Sequence, residues 1–448
     1  MEMNKMKQYV EKNRALIEEA FQFIWTHPET GYREWETHRY LAEQFRKLGY
    51  TLTEPGDIPG FFTDLDTGRP GPTLLIMGEL DALICPNHPE NVNGNAHACG
   101  RAAQAAALLG IAAALKEKGA LDGLSGKIRL MAVPAEELIE IDYRDGLRKE
   151  GKIHSFGGKV EFLYRGYMDD TDLAMMIHTS SVDMPHTGDI NAGSNGMITF
   201  SAIFHGKASH AGGSPDRGIN ALYAATQALS ACNALRETFS DRENIRFHPI
   251  MTEGGASVNI IPSSTKIESY VRGQHIDAIL EVNEKLKRAV AGSAVSIGAG
   301  VTIVNRPGYF PTKYDRGMME AMKEAMEEVL EETYWRPELY GTGSTDNGDL
   351  SAVMPTVQPH IGGAAGHGHG DDYKIVSVDS ACVDSAKVQV EFARILLGNG
   401  AARAKKIMKE FKPQFANKEA YFEFMDAIIK DIDAVRYNDD GTITIDVR

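Results

Sequence analysis

An apolar run of strand length, Leu74-Leu75-Ile76-Met77, leads directly into Gly78-Glu79-Leu80-Asp81-Ala82-Leu83, and after a polar loop the chain becomes the Ala- and Leu-rich segment 105–115. A short buried strand ending in carboxylates, followed by a loop and a long helix, is how α/β proteins present polar groups at the carboxyl ends of their strands. The connection carries His97-Ala98-Cys99-Gly100-Arg101, so an imidazole and a thiol arrive at the same place. Residues 73–116 therefore fix the fold class and mark where chemistry is expected.

The flanking sequence extends the same pattern. Residues 4–26 and 34–48 read as amphipathic helices, and segments near 50–54, 60–65 and 73–77 read as strands. Helix 103–117 is followed by a strand at 127–133 that ends in Pro134-Ala135-Glu136-Glu137. Residues 138–171 are polar, of mixed charge and longer than an ordinary connection, which predicts a functional or capping insertion. A strand at 173–177 then delivers His178. This order predicts a mixed sheet with helices on both faces.

The character changes near residue 190. A strand at 196–204, helix 218–236, strands near 246–253 and 265–272, helix 276–291 and a strand at 296–304 make an inserted α+β unit of β-α-β-β-α-β order. After Arg306-Pro307-Gly308 the first pattern resumes, with helices 315–333 and 377–397 around the loops 341–349 and 362–370. The tail 400–448 reads as charged and helical with a small terminal strand. A length of 448 residues suits two domains: 1–191 with 308–448, including the extension 400–448, and the inserted unit 192–307.

Composition excludes several functions. A formal charge of −15 argues against a general nucleic-acid binder. No run of about 18 apolar residues exists to span a membrane, and the mixed-charge start, Met1-Glu2-Met3-Asn4-Lys5, lacks the apolar core of an export signal; a cytoplasmic protein is expected. Cys85, Cys99, Cys232 and Cys382 form no CxxC pair, so neither a disulfide framework nor a zinc knuckle is indicated.

Five groups stand at strand ends or in loops able to face them: Asp81; His97 with Cys99; Glu136 with Glu137; His178; and His367 with His369. Thiolate, imidazole and carboxylate are the ligands that zinc accepts, and catalytic zinc sites use about three of them. Adjacent glutamates point in different directions, so one suits a metal while the other suits general-base work. Asp81 suits orientation of a ligating imidazole. Each piece alone has an ordinary explanation as a buried cysteine, a core histidine, a solvated Glu-Glu pair or a flexible glycine loop. Their order along the chain carries the argument.

In that order the chain resembles the aminoacylase and carboxypeptidase type of zinc amidohydrolases, in the branch of p-aminobenzoyl-glutamate hydrolases and auxin-conjugate amidohydrolases. The resemblance covers about residues 10–398. It rests on Gly78-Glu79-Leu80-Asp81-Ala82-Leu83, His97-Ala98-Cys99-Gly100, Pro134-Ala135-Glu136-Glu137 and His178, then on Gly206-Lys207-Ala208-Ser209-His210-Ala211, Val258-Asn259-Ile260-Ile261-Pro262, Ser344-Thr345-Asp346 with Gly348-Asp349, and the late histidines. It implies a catalytic domain interrupted by a lid domain that forms a homodimer, and hydrolysis of an amide bond in an N-acyl amino acid, dipeptide or aminobenzoyl-glutamate-like molecule by metal-activated water. It further implies Cys99, Glu137 and His178 as metal ligands, with His369, or alternatively His367, completing the set. Glu136 becomes the general base and His210 the oxyanion donor. Asn259 and Arg272 become binders of a substrate carboxylate.

The chain departs from the family pattern after Cys99-Gly100. There the pattern has a ligating histidine followed by Asp or Asn, and this chain has Arg101-Ala102; Gln104 replaces a histidine found in part of the family. A guanidinium cannot ligate zinc and repels a second cation. The expectation is therefore one or two ions of Zn2+, Mn2+ or Co2+, with Arg101 gripping a substrate carboxylate and His97 available as a substitute ligand. Two other readings stay open: a metal-independent enzyme with Cys99 as nucleophile, its thiolate favoured by a helix N-terminus and by Arg101, and a non-catalytic binding protein on the same fold.

Overall fold

The computed structural model describes residues 3–180 and 184–448. Met1 and Glu2, where the segment read as lacking an export signal begins, and residues 181–183 lie outside them. The chain divides into one unit of Met1–Gly193, Lys313–Leu339 and Asp349–Lys418, and another of Ser194–Thr312, Tyr340–Gly348 and Glu419–Arg448.

The first unit is built on a sheet whose strand order is Phe61–Asp66, Lys127–Val133, Thr73–Glu79, Leu173–Met175, Thr356–Val357. Phe61–Asp66 runs antiparallel to its neighbour and the other pairings are parallel. Every residue of the central strand Thr73–Glu79 is buried, as a strand covered on both faces requires. Parallel pairing sets Glu79 beside Val133, so Glu79, Asp81, Glu136 and Glu137 emerge from adjacent strand ends.

The helix Arg101–Leu115 is buried along its whole length, and its alanines allow close approach on two sides. Against the sheet, a Cβ on Gly78 would lie 3.2 Å from the Gln104 carbonyl oxygen. Toward helix Arg14–Trp25, a Cβ on Gly110 would lie 2.4 Å from Ile17 Cδ1.

Several elements differ from the sequence reading. The expected helix 4–26 is two helices, Met3–Lys12 and Arg14–Trp25, broken where the Asn13 side chain donates to the Tyr9 carbonyl at 2.8 Å. The segment near 50–54 contributes one isolated bridge, Thr53 to Phe62. The strand expected at 173–177 stops at Met175, and His178–Thr179 pairs instead with His360–Ile361 in a separate sheet. Helix 315–333 ends at Glu327, and the aromatic-rich stretch Glu332–Gly341 is a strand. The insertion 138–171 folds as two short helices, Ile141–Lys149 and Gly158–Tyr164.

The second unit is an antiparallel sheet of Gly196–His205, Ser264–Gly273 and Gly300–Tyr309, with helices Ala221–Ala234 and Ile276–Ile297 packed on it. The second helix runs past the expected stop near 291 to Ile297, where Gly298 adopts φ 78° and ends it. The tail, assigned from sequence to the first domain, joins this sheet. Lys430–Tyr437 pairs with Gly300–Tyr309, and Ile443–Ile445 completes a hairpin. Ile432, Ala434 and Val435 become buried, and an otherwise open sheet edge is covered. The tail also gives the buried Arg306 guanidinium the Asp431 carboxylate at 2.6 Å and the Lys430 carbonyl at 3.2 Å.

Deleting residues 430–448 is expected to cost at least ~2 kcal/mol and to lower Tm on the order of 4–8 °C, with increased light scattering from the exposed strand. An unchanged Tm in differential scanning calorimetry would show that the hairpin is dispensable.

Candidate active site

The site grows from three strand ends in the first unit. Glu79 closes the central strand and Asp81 follows two residues on. Glu136 and Glu137 follow the neighbouring strand, and His178 follows the third. Gly100 turns the chain into the Arg101–Leu115 helix with φ 88°, and a Cβ there would lie 2.7 Å from Thr179 Cβ. Glycine is thus required on both conformational and steric grounds, and the turn aims Cys99 and Arg101 at the strand ends.

The Arg101 guanidinium, 2 % exposed, is the hub. Its Nη1 donates to Glu137 Oε1 at 2.8 Å and its Nη2 donates to Glu136 Oε2. Its Nε lies 3.3 Å from both Glu79 Oε2 and Asp81 Oδ1. A second cation, Lys159, is wholly buried and donates to Glu79 Oε1 at 2.5 Å. Asp81, expected to orient an imidazole, accepts instead from the Glu137 backbone N–H at 2.7 Å and fixes that residue's position. Arg101, expected to grip a substrate carboxylate, directs its donors at protein carboxylates.

These charges set the protonation of the site. Burial raises the Glu79 carboxyl, but Lys159 and Arg101 outweigh it and hold its pKa below the ordinary value. Burial dominates at Glu136 and raises its pKa well above the usual range despite Arg101. Burial also pushes the Cys99 thiol up, and the Arg101 charge more than reverses this, bringing it down to about 6. His178 shares a 3.5 Å contact between its Nε2 and Cys99 Sγ, and its Nδ1 lies 2.9 Å from the Thr179 carbonyl. That carbonyl accepts from a protonated Nδ1, and although burial pushes the His178 pKa down, the Cys99 thiolate beside Nε2 more than reverses this and raises it.

Cys99, Glu137 and His369 offer ligand atoms that all lie within 4.8 Å of one another, with His369 Nε2 3.0 Å from Glu137 Oε1. With His178 beside Cys99, this thiolate, carboxylate and imidazole set fits one divalent cation of the zinc class. Glu79 and Glu136 also offer closely spaced ligand oxygens, and there the permanent positive charge of Arg101 opposes a further cation.

The remaining expected residues lie elsewhere. His97 is buried against Trp25, with ring centres 6.5 Å apart; burial and the Arg101 charge push its pKa down to about 3. His367 is exposed and pairs with Asp372 at 2.9 Å. In the second unit, His210 is exposed, and its Nδ1 accepts from the backbone N–H groups of Gly212 and Gly213 at 3.2 and 3.0 Å. The proton of the neutral ring is therefore on Nε2. The Asn259 carbonyl accepts from Ala211 N at 3.0 Å, which ties its loop to that of His210. Arg272 has Nη1 3.5 Å from Ser344 Oγ and stacks on Tyr270.

Three contributors escaped the sequence reading. Lys159 sits in a polar insertion, where a lysine ordinarily reads as solvated. Arg144, from the same insertion, donates to the Phe156 carbonyl at 2.6 Å, to the Ala135 carbonyl at 3.2 Å and to the Glu137 carbonyl. Glu34 accepts from Ala135 N at 2.7 Å and supports the left-handed backbone of Ala135, φ 56°, immediately before the glutamate pair. Its signal was its place at the start of a predicted helix.

Residues 75–394 match the model of Peptidase family M20/M25/M40, and the chain belongs to that family. It is accordingly a metal-dependent hydrolase of amide bonds by class. An indole-3-acetyl-aspartic acid hydrolase of Enterobacter agglomerans is 29% identical over 65% of this chain and 74% of its own length. The human Xaa-Arg dipeptidase is 28% identical over 76% of each. Among solved structures, an aminobenzoyl-glutamate utilization protein from Klebsiella pneumoniae has a TM-score of 0.65 at 22% identity, covering 88% of this chain and 98% of that one. A dinuclear metal-binding peptidase of Bacillus subtilis has a TM-score of 0.65 at 20% identity, covering 86% and 99%. Both structures share the fold.

Lys159→Met is expected to cost about 3–5 kcal/mol in denaturant unfolding, since it leaves the buried Glu79 carboxylate with one cation fewer. Lys12→Met, at an exposed ion pair with Glu117, should cost under ~1 kcal/mol. Equal costs would remove Lys159 from the charge balance of the site.

Proposed function

We propose that this protein hydrolyses the amide bond of an N-acyl amino acid, a dipeptide or an aminobenzoyl-glutamate-like small molecule, with Glu136 as general base. The observation that carries the reading is the convergence of Cys99, Glu137 and His369 beside an elevated, buried Glu136. A zinc, manganese or cobalt ion held by Cys99, Glu137, His369 and His178 would supply Lewis-acid polarisation of the amide carbonyl and of water. Glu136, kept in place by Arg101, accepts a proton from the attacking water and returns it to the leaving nitrogen. Asp81 and Arg144 hold the backbone of Glu137 so that both glutamates keep their orientation. His210, protonated on Nε2, is the proposed donor to the tetrahedral oxyanion, and Asn259 and Arg272 are the proposed binders of the substrate carboxylate.

The same reading includes a cytoplasmic homodimer formed through the second unit. In its favour, the edge strand Ile250–Glu253 is exposed throughout, and Tyr223, Val258 and Ile260 add exposed apolar surface in the same unit. The four cysteines are free, as in a reducing compartment.

Ion-loaded protein is expected to release p-aminobenzoate from aminobenzoyl-glutamate or the amino acid from N-acyl amino acids, and Glu136→Gln is expected to lower kcat by about 10²–10⁴ with Tm preserved. Absence of hydrolysis across this panel would sink the proposal. The 3.5 Å contact of Cys99 with His178 favours one second reading, thiolate nucleophilic catalysis. Turnover that survives a chelator but not Cys99→Ser would establish it.

A further inference from the structure

The carboxylates of this site are more numerous than the metal ligands require. Glu79, Asp81 and Glu136 are each 5 % exposed or less, and Glu137 completes a group of four. A buried carboxylate needs a positive partner or a proton, and four at adjoining strand ends call for more than one cation. The protein meets this with its own side chains. Arg101 faces all four groups, and Lys159, delivered by the helix Gly158–Tyr164 of the insertion, faces Glu79 from another element.

We propose that Arg101, backed by Lys159, is a built-in cation standing where a second metal ion would otherwise be held, so that each chain binds a single divalent ion, at Cys99, Glu137 and His369. A divalent cation beside these carboxylates meets a guanidinium that cannot give up its proton and is already hydrogen-bonded to Glu136 and Glu137. It gains no ligand from Arg101 and competes with it for the same oxygens. Arg101 Nη1 and His369 Nε2 both approach Glu137 Oε1, at 2.8 and 3.0 Å, and Cys99 and His369 add a sulfur and a nitrogen within 4.8 Å of that carboxylate, so this is the group in which a divalent ion gains ligands other than carboxylate. Arg101 is thus the residue that sets the ion count, and Lys159 the residue that makes the fixed charge sufficient without a second ion.

The inference rests on the metal-hydrolase reading only for the single ion site, and ion counting separates the two. The full-length protein is loaded with excess Mn(II), freed of unbound ion, and assayed by elemental analysis and electron paramagnetic resonance. One ion per chain with the hyperfine pattern of an isolated Mn(II) is expected. Two ions per chain with an exchange-coupled spectrum would overturn the inference while leaving the hydrolase reading intact, and no bound ion would overturn both. Arg101→His, which trades a fixed cation for a ligand, is expected to raise the count to two and to produce the coupled spectrum. A folded variant that still binds one ion also overturns the proposal; if the variant fails to fold, the native count and spectrum decide it.

Discussion

The structure of the first unit depends on one buried guanidinium. Four carboxylates from two strand ends converge on Arg101, and without it their mutual repulsion and desolvation would oppose the arrangement of the strands that carry them. Buried ion networks are stabilising only when the geometry is well made, and here it is made by the backbone. The parallel register sets Glu79 beside Val133. Gly100 adopts a conformation that other residues resist. The all-buried alanine helix lies close enough to the central strand for its first residue to reach the cluster. Packing and electrostatics are therefore not separate terms in this unit: the small side chains of the helix are what bring the charge into range.

The insertion 138–171 has a structural meaning in the same terms. Its second helix supplies Lys159, and its first supplies Arg144, which gathers the carbonyls of Ala135, Phe156 and Glu137. Glu34 takes the Ala135 N–H on the other side. The strained residue before the glutamate pair is held through both its N–H and its carbonyl, and strain of this kind persists only where the surroundings determine the backbone. Polar residues that looked like a solvated loop are the internal support of the site.

The sequence made the central strand, the alanine helix and the glutamate pair legible, because each has a periodicity or an order that survives without tertiary contacts. Among the late histidines, the spacing to Tyr373 pointed at His369, which the structure sets beside Cys99 and Glu137 while His367 turns to Asp372. What escaped was tertiary. A lysine in a polar run looks the same whether it is buried or solvated, so nothing local marked Lys159. The tail hairpin pairs with a strand more than a hundred residues earlier, and its short alternating pattern was too weak to say with which. The break at Asn13 is a competition between a side chain and the helix backbone, which helical periodicity does not register.

Arg101 shows how far one substitution in a recognised pattern reaches. Replacing a neutral imidazole by a guanidinium changes both charge and ligand capacity, and the chain is consistent with that change at every neighbour. Glu79 is shared with Lys159, Cys99 is brought to a lower pKa, His97 is kept neutral, and Asp81 bonds to the backbone of Glu137 instead of to an imidazole. Had the charge arrived without these accommodations, a buried cation would face groups arranged for a different partner, at a cost of several kcal/mol. The network as a whole, more than any one of its contacts, is arranged around a fixed positive charge, because each carboxylate at these strand ends finds its partner in Arg101, in Lys159 or in both.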